Sequence, residues 1–164
     1  MGDKQFTNPT GAYGYSVDAD IIGCIFFPMK VAESSSAAVT VTRGQIVQPY
    51  TTVGTVLGVD TAQTDMILGV ALETVTIPDT DLIQAVQYTG PRTVDVCVFG
   101  GALVLSGGTD LAAFTTLASD ASGRAIEVTE ADANWILGHA LEATGDTAGV
   151  LKSAWINPQK IELS

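Results

Sequence analysis

From Val39 onward, short runs of Val, Ile, Leu and Thr alternate with glycine, and no long stripe of 3.6-residue period appears. VTVT (39–42), QIVQ (45–48), VDVCVF (94–99) and ALVL (102–105) are such runs. A spacing of about 8–12 residues between them points to an all-β barrel or sandwich. Thr and Val are abundant, which suits pleated, half-buried surfaces. Helix is expected only as single turns near Asp110–Ala118 or Glu130–Asn134. Residues 1–20 are polar, interrupted by Gly and Pro, and read as an extended N-terminal arm. Residues 21–31, IIGCIFFPMKV, are the most apolar segment. They suit either a buried strand of the core or an anchor that packs on a partner chain. ESSSAA (33–38) has the composition of a linker.

A repeat organises the body. ILGVALET (67–74) and ILGHALEA (136–143) share six of eight residues at an offset of 69. Upstream, YTTV (50–53) matches FTTL (114–117), and GQIV (44–47) matches GALV (101–104). The expected units are about 39–99 and 100–160, with DASGR (120–124) as a turn in the second. Alternation along a strand puts Leu68, Val70 and Leu72 on one face and Ile67, Gly69, Ala71 and Glu73 on the other. The second copy places Leu137, His139 and Leu141 against Ile136, Gly138, Ala140 and Glu142 in the same way. Small Gly and Ala admit a close neighbour, and each Glu is expected to end its strand at solvent.

The repeat also reads the single histidine. His139 stands where the other copy has Val70, so it is expected to be structural or at a rim. Cys97 lies in an alternating run and behaves as a small hydrophobe. No P-loop, dinucleotide fingerprint or nucleophile elbow is present. The GG pairs at 100–101 and 107–108 read as strand-end bends. The acidic pairs Asp18/Asp20, Asp79/Asp81 and Glu130/Asp132 read as solvated loops, without the twelve-residue calcium pattern. The expectation is a chain that is not an enzyme, with no catalytic, cofactor-binding or metal-binding residues.

Charge narrows the partners. The 164 residues carry 18 Asp and Glu against 7 Lys and Arg, a net charge of −11, and only 15% are charged. Lys4, Lys30, Arg43, Arg92, Arg124, Lys152 and Lys160 are scattered singly, which opposes a nucleic-acid groove or an anionic membrane surface. Two cysteines are too few for a disulfide framework. No secretory signal is evident, and the longest apolar stretch, Ile21–Met29, is nine residues, so no membrane span is expected.

The ordered set GQIV, ILGVALE, GALV, DASGR, ILGHALE and GVLKSAWI, covering residues 37–157, resembles the small β-barrel capsid decoration (cement) proteins of tailed bacteriophages. The resemblance implies a virion structural protein, made in the host cytoplasm and bound to the outer surface of the head. There it would clamp neighbouring major capsid subunits, commonly as a homotrimer near three-fold positions. Multivalent attachment would strengthen weak single contacts.

The expected organisation is therefore an arm and apolar anchor over 1–36 and a β body over 37–164. Phe6, Tyr13, Tyr15, Ile25, Phe26 and Phe27 are the candidate interface residues, because aromatic anchors carry interface energy well. The alternative is a carbohydrate- or cell-surface-binding β module. It would need a cluster of exposed aromatics, whereas Trp135 and Trp155 read as core residues. A small hydrolase barrel is the least supported reading.

Overall fold

The computed structural model describes residues 14–16, 23–50, 55–58, 60, 65–80, 88–108, 110–129, 135–143, 145 and 147–161. The described residues form twelve strands: β1 (Gly14–Ser16), β2 (Cys24–Val31), β3 (Val39–Val41), β4 (Ile46–Pro49), β5 (Thr55–Gly58), β6 (Gly69–Ala71), β7 (Val75–Ile77), β8 (Thr93–Gly107), β9 (Thr116–Ser119), β10 (Ala125–Glu127), β11 (Trp135–Ala140) and β12 (Ala148–Lys160). Ten make one mixed sheet and β3 pairs with β7 in a second. The protein is all-β and built from two similar units.

The large sheet closes on itself twice. β2, β5, β4, β6 and the first half of β8 are neighbours in that order, and β2 pairs back onto β8. The second half of β8, then β10, β9, β11 and β12, repeat the order, and β12 pairs back onto β8. Two five-stranded rings thus share one 15-residue strand. Closure leaves the three-residue β1 as the edge strand of the large sheet.

Strand β8 serves both rings because its even-numbered positions supply both cores while its backbone turns between them. Val94 and Val96 are buried with Val31, Val47, Val56 and Ala71 in the core of the first ring. Ala102 and Val104 are buried with Leu117, Ala125, Ala140 and Ala154 in a second cluster. Between them Gly100 has φ +105, and a Cβ there would strike the Gly23 carbonyl oxygen. Only glycine permits that conformation and that approach. The GG pair at 100–101 is therefore a bend inside a strand; Gly108, with φ +85, follows the strand's end.

Hydrogen bonds fix the correspondence between the copies. The Gly44 amide donates to the Ala71 carbonyl (2.8 Å), and the Phe114 amide to the Ala140 carbonyl (2.8 Å). Ala71 then donates to the Gln45 carbonyl and Ala140 to that of Thr115, both at 2.9 Å. GQIV therefore corresponds to FTTL, a correction of the matches to GALV and YTTV expected from sequence. Four-residue runs of Thr and aliphatics are interchangeable as strings, and only pairing onto the long repeat sets their register.

Two further expectations change. The boundary after residue 36 assigned residues 24–31 to the arm, but β2 pairs along its length with β8, from Ile25↔Phe99 to Lys30↔Thr93. An apolar strand that supplies Val31 to one core and Cys24 and Phe26 to the other is part of the body. Near Asp110–Ala118 the chain makes a turn followed by β9 rather than a helical turn, because Thr115, Thr116 and Leu117 pair with β11 or the residues beside it. The 130–134 segment lies outside the described residues. DASGR is a turn: the Asp120 carboxylate accepts the amides of Ser122 (2.8 Å) and Arg124 (2.9 Å) and bonds the Arg124 guanidinium.

Candidate functional site

The same four positions run across the outer wall of each ring. In the first, Phe26 pairs with Cys97, Cys97 with Val70, and Val70 with Ile46. In the second, Gly101 pairs with Trp155, Trp155 with His139, and His139 with Thr116. The first row is shut: Cys97, Val70 and Ile46 are 0% exposed and Phe26 is 7%. The second ring covers it. The Ile46 amide donates to the Gly123 carbonyl (2.7 Å), Leu105 donates to Gly44 (2.8 Å), and Gln45 Nε2 donates to Ser122 (3.1 Å). Full burial of each aliphatic side chain contributes about 1.5–3 kcal/mol, so this row fastens the rings together.

The second row is open. Trp155 is 38% exposed and Phe99 42%. Their rings meet edge to face at 5.4 Å and 78°, above the position that Gly101 leaves without a side chain. His139 is exposed, and its Nδ1 lies 3.3 Å from Thr116 Oγ1. Ile25 stands opposite Phe99 on β2, and Tyr15 stands opposite Ile25 on edge strand β1. At about 4.8 Å per strand, the row from Ile25 to Thr116 spans roughly 20 Å.

Beyond Thr116 the chain turns at Phe114, 75% exposed with φ +66. A bulky residue in the left-handed region is costly, on the order of 1–2 kcal/mol. Its counterpart Gly44 has φ +81 and faces Leu151 and Leu105 of the second ring.

The expected interface residues divide. Phe6 and Tyr13 lie outside the described residues, and Tyr15 and Ile25 hold neighbouring register positions at the end of the open row. Phe26 is corrected: it is buried in the core that joins the rings, because its side of β2 faces the seam. Phe27 is partly exposed. Trp155 is also corrected from core to surface, since it stands on the outer face of β12, where it is 38% exposed, whereas half-buried Trp135 does pack on the core. Phe99 and Phe114 were not singled out by sequence. The Val70→His139 difference was a usable signal, but the Cys97–Trp155 equivalence has an offset of 58 and is visible only through strand pairing.

Polar groups elsewhere serve the fold. Cys24 and Cys97 are buried thiols that form no disulfide, and the hydrogen bond with Cys24 together with burial pushes the Cys97 thiol far up, so it stays protonated. The two repeat glutamates turn back to the next strand rather than simply ending in solvent. Glu142 accepts the Ser153 amide at 2.7 Å, and Glu73 that of Asp95 at 3.4 Å. The Ser153 amide holds the Glu142 carboxyl below its usual range, while burial and the Glu73 charge raise Asp95. Glu33 bonds Lys30 (3.2 Å) and Arg92 (3.0 Å), and Lys30 foremost lowers its carboxyl. Among the described residues, no group of three or more His, Cys, Asp or Glu gathers, and no helix is long and apolar enough to cross a membrane. Of the acidic pairs, Asp18, Asp20, Asp81, Glu130 and Asp132 lie outside the described residues. No known protein family and no curated protein matches the sequence.

Proposed function

We propose that this chain is a virion structural protein of a tailed phage that binds the outer surface of the head and clamps neighbouring major capsid subunits as a homotrimer. The supporting observation is the open row: an uncharged, aromatic surface on a chain of net charge −11, beside an edge strand. Two fused closed rings make a stiff body suited to bridging subunits, because their cores interlock along β8. The residues preceding β1 include Phe6 and Tyr13, further aromatic anchors for the capsid. The acidic surface repels packaged DNA, which suits an external position.

Cosedimentation with undecorated heads, assembled from the major capsid protein encoded in the same genome, tests this reading. The full chain is expected to pellet with heads and raise their disruption temperature, and removal of residues 1–13 is expected to abolish pelleting while the body stays folded. A full chain that stays in the supernatant overturns the proposal.

Exposure of Trp155 and Phe99 favours a second reading, a carbohydrate-binding module on the virion, since aromatic faces stack on sugar rings and His139 and Thr116 supply polar contacts. Saturable glycan-array binding lost in Trp155→Ala would select it.

A further inference from the structure

We infer that the open row of the second ring, with Phe114 at its end, is the surface through which one copy of this chain binds another. The inference rests on the proposed function only in supposing that the chain assembles with itself, and it names the face that does so. The first observation is internal. In the first ring the equivalent row is a ring-to-ring contact, closed by the second ring through Gly123, Leu105 and Leu151. The second ring keeps the same wall, and among the described residues no third ring covers it. A ring of a second copy is the occupant for which the molecule already displays a mode of contact.

Charge points the same way. Two chains of net charge −11 repel wherever carboxylates meet. Ile25, Phe99, Trp155, His139 and Thr116 contain none, so contact here avoids like-charge pairs.

Strain adds a third, independent observation. A glycine at position 114 would relieve the backbone, as Gly44 does in the first ring. The chain instead holds a phenylalanine at φ +66, three-quarters exposed. Strain of this kind concentrates where a side chain must be presented to a ligand. The intermolecular contact therefore differs in detail from the internal seam, where Gly44 lets backbone meet backbone. Phe114 projects as a knob, and a partner must receive it. A contact between unlike surfaces repeats from copy to copy and closes as a ring when the rotation allows.

The test is sedimentation velocity of the full chain from about 1 to about 200 µM. The wild type is expected to show a mass that rises with concentration. Trp155→Ala and Phe114→Ser are each expected to weaken the association at least about tenfold, the scale of one lost anchor. Tyr50→Ser, at an exposed position outside the row, is expected to leave it unchanged. As a measurement that needs no variant, wild-type amide exchange at residues 99–103 and 153–156 is expected to slow as concentration rises. A monomer throughout the range overturns the inference. So does an oligomer that both folded variants leave intact, or one without concentration-dependent protection at these residues. A monomer whose row is protected only by a glycan or by capsid subunits assigns the face to that other occupant and overturns self-association. Failure to bind heads leaves these readouts unaffected, so the two proposals fail separately.

Discussion

The two rings differ most where they are most alike. Phe26, Cys97, Val70 and Ile46 in the first occupy the positions of Gly101, Trp155, His139 and Thr116 in the second, on equivalent strands. One row is apolar and sealed; the other mixes large aromatic and polar side chains and faces outward. The barrel wall does not dictate whether its outside is core or surface. That depends on what comes next in the chain, and the side chains have diverged accordingly.

Removing a glycine common to both rings should have the largest effect, and one of similar size in each. A Cβ on Gly69 would strike the Cys97 carbonyl, and one on Gly138 the Trp155 carbonyl, with Gly138 also at φ +146. Neither backbone can yield without breaking its strand pair. Gly69→Ala and Gly138→Ala are each expected to cost about 3 kcal/mol or more in urea denaturation. A loss in one ring alone would break the equivalence.

Exchanging the row residues should separate the rings. Val70→His buries an imidazole without a partner and is expected to cost about 3 kcal/mol. His139→Val, at an exposed site, should change stability by less than about 0.5 kcal/mol. Similar costs for both would mean that the second row is covered in the isolated chain. At the turn, Phe114→Gly copies Gly44 and should stabilise the fold by about 1 kcal/mol through relief of the left-handed backbone. A loss of stability there would show that Phe114 packs within its own chain.

The smallest difference lies beside the repeat glutamates. Asp95 sits next to Glu73 where Ser153 sits next to Glu142. The folded Asp95 carboxyl titrates above its unfolded value, through burial and then the Glu73 charge. Its contribution is therefore favourable in acid and is lost as pH rises through the folded value. Asp95→Ser should gain about 0.5 kcal/mol at pH 7, and the gain should vanish below about pH 4. Glu142 has the opposite sign, since its lowered carboxyl stabilises above the unfolded value and loses this as pH falls. Denaturation midpoints against pH, with Glu142→Gln beside Asp95→Ser, check both directions.

Much of this fold is legible in the residues. VTVT, QIVQ, VDVCVF and ALVL all lie in or beside strands, and ILGxALE marks the two units. Period-two alternation tells which side chains share a face. It does not tell whether the outer face of a barrel meets solvent or a second barrel, so from sequence Phe26 suits an anchor and Trp155 the core. Nor does local pattern reveal that β8 belongs to both rings, because closure by β2 and β12 depends on pairings distant in sequence. Gly100 and Gly101 looked like the end of a strand because glycines usually interrupt one. Here they let a single strand leave one ring and enter the other.

A contact face on the second ring's row would be open in the single chain and covered on association. Trp155 reports on it directly. In a Trp135→Phe chain, with Trp155 as the sole tryptophan, acrylamide quenching is followed from about 1 to about 200 µM protein. Strong quenching is expected at the dilute end, falling as concentration rises. Quenching that is weak at every concentration would place Trp155 in the core, and strong quenching that never changes would leave the row without a partner copy; either result contradicts the claim.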